Sequence, residues 1–145
     1  MEIYSSGKVL LTGEYVILDG ALSLASPTKF GQHLKLEENQ SNFINWKSIN
    51  YDGKIWFECK IKNENLEIKS TSSKRVSDTL IRIINLIREY SPSFLKNQGS
   101  DISTNLTFDK NWGLGSSSTL ISNLATLSGV DPYILNNHIF EGSSY

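Results

Sequence analysis

The order of apolar and polar residues along the chain changes character near residue 70. Before that point apolar positions alternate or gather in short runs, the pattern of strands. Residues 8–11 and 15–18 are two such runs on either side of Thr12-Gly13-Glu14, and Asp19-Gly20 closes the second as a turn dipeptide. Residues 30–37 set Leu34 and Leu36 among Gln32, Lys35 and Glu37, a loose period of two. Phe43-Ile44-Asn45-Trp46 and Ile55-Trp56-Phe57-Glu58-Cys59 flank Asp52-Gly53, a hairpin signal that makes Trp46 and Trp56 a cross-strand pair. A further strand is expected over residues 66–69.

Beyond residue 70 the spacing becomes three and four. Val76, Leu80, Ile83, Ile84 and Ile87 form one stripe, with Arg75, Arg82, Asn85 and Arg88 elsewhere on the wheel. Ser72 or Ser73 supplies the N-cap, and Pro92 lies just past the helix end. Residues 101–108 alternate well enough for one more strand. A second helix begins after Ser116-Ser117-Ser118, carries Leu120, Ile121, Leu124 and Leu127 on one stripe, and stops at Gly129. Asp131-Pro132 opens a third, with Asp as N-cap and Pro at the first helical position. Strands followed by helices predict an α+β architecture.

Composition narrows the class. A length of 145 residues predicts one domain, or a domain and a fraction. With 14 Lys plus Arg against 15 Asp plus Glu, the net charge of −1 argues against nucleic-acid or polybasic membrane binding through bulk charge. Cys59 is the one cysteine, which excludes an internal disulfide and a cysteine-clustered zinc site. The longest aliphatic runs, such as Val9-Leu10-Leu11, are far too short for a bilayer span, and the Met-Glu-Ile start lacks a secretory signal. His33 and His138 stand far apart with no metal-ligand spacing. These features predict a soluble, cytoplasmic globular domain. The ending Glu141-Gly142-Ser143-Ser144-Tyr145 reads as a loop expected to continue into another element, as in a chain cut short.

Two stretches could carry chemistry. In Asn111-Trp112-Gly113-Leu114-Gly115-Ser116-Ser117-Ser118-Thr119, the glycines allow a tight turn and close backbone approach to a ligand, and the serines occupy a helix start with unpaired N–H groups. Such a terminus binds anions, and serine hydroxyls add donors to phosphate or an oxygen ligand to Mg²⁺. The stretch is neither a Walker A loop nor the dinucleotide fingerprint; taken alone it also reads as a glycine turn with a serine cap. No Lys or Arg follows Lys110, so a phosphate here needs a metal ion or a cation from elsewhere. The candidate lies in Ser5-Ser6-Gly7-Lys8-Val9-Leu10-Leu11-Thr12-Gly13-Glu14-Tyr15, where Lys8 and Glu14 bracket an apolar run. On one cleft, Lys8 could stabilise developing negative charge and Glu14 could hold a substrate hydroxyl; on spacing alone they equally read as solvated charges at strand ends. Lys69, Lys74 and Arg75 around Ser70–Ser73 read as a solvated loop.

Together the two stretches resemble the GHMP kinase superfamily. Residues 5–20, from Ser5-Ser6-Gly7-Lys8 to Asp19-Gly20, are similar to its first motif, and Gly113-Leu114-Gly115-Ser116-Ser117 to its phosphate loop. Pro27-Thr28-Lys29-Phe30-Gly31-Gln32 and Gly142-Ser143-Ser144-Tyr145 look most like the mevalonate/phosphomevalonate kinase-like subgroup, although Tyr15 stands where mevalonate kinases carry histidine. The resemblance implies an N-terminal domain of the ribosomal-protein-S5 second-domain type over residues 1–145, a mixed or antiparallel sheet with helices packed on it. It implies ATP and Mg²⁺ as cofactors, with Gly113, Leu114, Gly115, Ser116, Ser117 and Ser118 around the phosphates and Ser117 as the metal ligand. Lys8 and Glu14 would be catalytic, Lys8 near the transferred phosphoryl and Glu14 positioning the substrate or an adjoining side chain. A catalytic aspartate would follow Tyr145, so the 145-residue chain would be inactive by itself. The partner implied is a small-molecule substrate, with a homodimer left open and neither nucleic acid nor membrane involved. A nucleotide- or anion-binding module without catalysis stays open beside the kinase, as does an RNA-binding α+β domain, against which the neutral charge counts.

Overall fold

The period-two runs become six strands and the three-four stripes three helices. The computed structural model describes residues 1–12, 24–112 and 116–140. The run at 15–18, its turn, Glu14, Gly113-Leu114-Gly115 and the last five residues lie outside the described residues. The strands are β1 (Glu2–Thr12), β2 (Leu24–Asn39), β3 (Phe43–Ile49), β4 (Ile55–Lys62), β5 (Ile68–Thr71) and β6 (Gly99–Leu106). The helices are α1 (Lys74–Tyr90), α2 (Ser116–Ser128) and α3 (Pro132–Phe140). Strand order is β1-β2-β6-β3-β4-β5. Every neighbouring pair is antiparallel except β3 and β6, which run parallel, so the sheet is mixed.

Alternation puts one face of this sheet into the core. Leu34, Ile44, Trp46, Phe57, Ile61 and Ile102 point inward and are essentially buried, meeting Leu80, Ile83, Ile84 and Ile87 of α1, Ile121 and Leu124 of α2, and Leu135 of α3. Each such side chain contributes about 1.5–3 kcal/mol by leaving water. The helix-free face is charged: Lys35, Glu37, Lys47, Glu58, Lys60 and Asp101 line an open groove of about 580 Å³. Among the described residues no helix is long and apolar enough to cross a membrane.

Local signals account for the element ends. Ser73 is the N-cap of α1, its Oγ accepting from the Val76 N–H at 3.4 Å. Ser72, the alternative cap, instead ties the chain to β4, its hydroxyl accepting from the Glu58 N–H at 3.0 Å. Asp131 caps α3 by accepting from the Tyr133 N–H at 2.8 Å, and Gly129 ends α2 at φ +78°.

Three expectations need correction. Trp46 pairs with Cys59, not Trp56, because the hairpin centred on Asp52-Gly53 makes paired numbers sum to a constant that 46 and 56 do not meet. Trp46 therefore shares the buried face with Phe57, and its Nε1 donates to Ser48 Oγ at 3.0 Å. The fifth strand begins at Ile68, not Leu66, because Leu66 sits at φ +59° in the turn that returns its N–H to the Lys62 carbonyl. The sixth strand spans Gly99–Leu106 in place of 101–108; Phe108 is buried beyond its end.

Candidate functional site

The serine-rich stretch lies where β6 hands over to α2. Thr107, one residue past β6, is held to β2: the Gly31 N–H donates to its Oγ1 at 2.8 Å and the Thr107 N–H donates to the Gly31 carbonyl at 2.9 Å. Gly31 is required by close packing, since a Cβ there would stand 2.2 Å from the Ser5 carbonyl oxygen of β1. An Asp109-centred turn follows, with the Asn111 N–H donating to Asp109 Oδ1 at 2.9 Å and the Trp112 N–H to the Asp109 carbonyl at 2.9 Å. The Lys110 N–H donates to Asn50 Oδ1 at 3.2 Å, which docks this turn on the β3–β4 hairpin.

The docking gathers aromatic rings around Trp112. Trp112 meets Phe30 edge-on at 6.1 Å between centroids and Tyr51 at 5.9 Å. Trp112 and Tyr51 are 56% and 53% exposed, an unusual exposure for two large rings in mutual contact. Lys29 lies 5.6 Å from the Phe30 ring centre and Lys110 4.7 Å from that of Trp56. Neither Trp112 nor Tyr51 stands out in the sequence as a site residue. An aromatic beside each of the two turns, Asp52-Gly53 and Gly113-Leu114-Gly115, was the available signal.

Ser116, Ser117 and Ser118 open α2 as half-buried residues, and the first turn contains no acidic side chain to compete for its N–H groups. The helix packs against β1 and β2. Beside the apolar Ile121 and Leu124, its contact with the sheet includes polar ties: Asn123 Oδ1 accepts from Ser5 Oγ at 2.7 Å and Asn123 Nδ2 donates to the Gln32 carbonyl at 3.1 Å.

The two chemistry-bearing stretches therefore meet at the level of their elements. Lys8 lies in β1, paired with Pro27, just past a register shift between Ser6 and Lys8. Lys69, Lys74 and Arg75, expected in a solvated loop, lie instead in β5 and the first turn of α1, because pairing with β4 and the Ser73 cap order this stretch. Lys69 pairs with Glu67 at 3.2 Å and Lys74 with Asp78 at 2.9 Å, at the sheet edge opposite β1. His33 Nδ1 lies 3.2 Å from Glu2 Oε1, and among the described residues no three His, Cys, Asp or Glu side chains are grouped to hold a metal ion.

The sequence matches no known protein-family model and no curated protein. Solved structures do match. The Methanococcus jannaschii mevalonate kinase superposes with a TM-score of 0.69 at 17% identity, over 99% of this chain and 48% of that one. Streptococcus pneumoniae phosphomevalonate kinase, in complex with phosphomevalonate and AMPPNP, gives 0.67 at 16% identity, over 100% of this chain and 44% of that one. A mevalonate diphosphate decarboxylase from Legionella pneumophila gives 0.52 at 16% identity, over 99% and 48%. The chain spans about half the length of these structures. At such identities the likeness is one of fold: the six-stranded mixed sheet with three helices has the architecture of the N-terminal part of GHMP kinases.

Proposed function

We propose that this chain is the ATP-binding N-terminal domain of a GHMP-type kinase that phosphorylates a hydroxyl or phosphate oxygen of a small metabolite. One coincidence carries the reading: on a fold shared with a kinase bound to AMPPNP, the Gly-Leu-Gly-Ser-Ser-Ser run leads directly into the N-terminus of α2. The residues suit a nucleotide. A helix start free of acidic side chains favours phosphate, and the exposed ring of Trp112, four residues before Ser116 in the chain, with that of Tyr51 against it, offers a face for a purine base. Cytoplasmic ATP is the matching supply.

In this reading Gly113, Leu114, Gly115, Ser116, Ser117 and Ser118 hold the phosphates through backbone N–H groups and hydroxyls, and the Ser117 hydroxyl is the protein's ligand to Mg²⁺. Bound MgATP would supply the transferable phosphoryl group and a metal charge that offsets its negative oxygens. Lys8 would stabilise the charge that accumulates on the transferred group, a role for a cation that α2 and its approach after Lys110 do not themselves contain. Glu14 would orient the acceptor or an adjoining side chain.

Titration of the chain with AMPPNP and Mg²⁺, followed by calorimetry and tryptophan emission, tests the reading. Saturable binding that changes the emission is expected, with the change abolished in Trp112→Phe. Gly115→Val, which crowds the backbone approach, should weaken binding at least tenfold, or ~1.4 kcal/mol. An absence of binding, or unchanged affinity in a folded Gly115→Val variant, overturns it. In a protein of the neighbours' full length, Lys8→Ala should lower turnover by roughly 10² with ATP affinity and melting temperature little changed.

A further inference from the structure

We infer that Ser5, Gln32, Thr119 and Asn123 form a buried polar clamp whose task is to position the phosphate-binding end of α2 against strand β1; the inference rests on the nucleotide-binding reading above. Asn123 is wholly buried, and Gln32 and Thr119 are only 3% exposed. Asn123 uses both ends of its amide, accepting from Ser5 Oγ at 2.7 Å on β1 and donating to the Gln32 carbonyl at 3.1 Å on β2. The Thr119 hydroxyl donates to the Ser116 carbonyl at 2.9 Å and lies 3.3 Å from Gln32 Oε1. Thus a chain of polar contacts runs from β1, through β2 and the second turn of α2, to the first residue of that helix.

Stability alone does not account for these residues. Buried polar side chains are costly unless paired, and replacing a paired set with apolar groups of similar shape is often neutral or stabilising. What hydrogen bonds add is direction. Packed aliphatic surfaces tolerate small slides, whereas a fully satisfied polar network holds one register. The contrast with α1 is informative, since that helix buries Leu80, Ile83, Ile84, Leu86 and Ile87 with Ser77 as its one buried polar residue. The helix that opens with the serine run is the one that places Thr119 and Asn123 on its buried face. The strand it grips at Ser5 carries Lys8 three residues further on. The clamp thereby fixes the phosphate-binding turn relative to the strand that bears the proposed catalytic cation, a setting in which a displacement of about 1 Å is enough to lose most of the benefit of orientation.

The test compares the parent chain with Asn123→Leu, Ser5→Ala and Ser5→Thr. For Asn123→Leu, which strands the Ser5 hydroxyl and the Gln32 carbonyl, a lower melting temperature is expected, together with a roughly 5- to 10-fold rise in the Kd for AMPPNP with Mg²⁺ measured well below the transition. Amide exchange at Leu120–Ser122, whose N–H groups bond within the helix, should be faster, while exchange in α1 is unchanged. Ser5→Ala should shift affinity in the same direction and Ser5→Thr, which keeps the hydroxyl, should restore it. Should Asn123→Leu fail to fold, the two Ser5 variants decide the matter. Parental affinity and parental exchange at Leu120–Ser122 in folded Asn123→Leu or Ser5→Ala would reduce the four residues to packing and overturn the clamp alone. A parent chain that binds no nucleotide overturns the nucleotide reading, and the clamp's purpose falls with it.

Discussion

Cys59 shows how tertiary burial resets the chemistry of a single side chain. It lies opposite Trp46 in the β3–β4 pair, and burial pushes its thiol from an ordinary 9.0 up to about 11, partly countered by a hydrogen bond with Ser77. The folded protein keeps the thiol protonated where the unfolded chain ionises it. Its contribution to stability is therefore complete below pH 9 and is lost as pH rises towards 11. The folded chain should resist iodoacetamide at pH 8, reacting only on unfolding. The urea midpoint should fall between pH 9 and 11, by less in Cys59→Ala; equal pH dependence in the two proteins would contradict the assignment. The sequence displayed the cysteine and excluded a disulfide, but the residue facing it was set by the hairpin register.

At the scale of elements, Arg88 joins three segments that the sequence treats as separate. From the last turn of α1 its Nε donates to the Phe94 carbonyl at 2.9 Å, and its Nη2 to the carbonyls of Asn63 at 2.7 Å and Leu95 at 3.1 Å. Helix α1 is thus latched to the β4–β5 turn and to the loop leading to β6. Arg88→Met should keep much of the packing but strand these carbonyls, costing about 3 kcal/mol in a denaturation experiment. Loss below ~0.5 kcal/mol would mean that water replaces the guanidinium without penalty. Ser73→Ala should cost about 1 kcal/mol by removing the α1 cap. Helix α1 was legible in the sequence because its stripe and cap lie within neighbouring turns. The Glu2–Ser6 half of β1 was not, since the adjacent Ile3 and Tyr4 give no period of two and its pairing with residues 31–35 is non-local.

For the whole molecule, strand order predicts the stability gradient. Strand β6 is paired on both sides, antiparallel to β2 and parallel to β3, and its Ile102, Thr104 and Leu106 are buried. Strand β5 is four residues long and lies at an edge. Hydrogen exchange should be slowest at Ile102 and Thr104 and fast in β5, with β6 opening only in global unfolding. Comparable protection in β5 would show that something covers that edge.

By itself the sequence determined what is local: the strand-then-helix order, a cap at Ser72 or Ser73 and another at Asp131, the glycine stops, and the Gly-Leu-Gly-Ser-Ser-Ser run ahead of a helix. These depend on residues within a turn or two of one another, where periodicity and capping act. Only the tertiary structure decided that β6 inserts between β2 and β3, that Trp46 turns inward opposite Cys59, and that Phe30 and Tyr51 meet Trp112. The same is true of the clamp, whose Ser5 and Asn123 are 118 residues apart. A polar residue in a sequence has no sign of burial on it; burial and partner are assigned together when distant strands and helices pack, because the free energy of hiding a polar group depends on what it meets there.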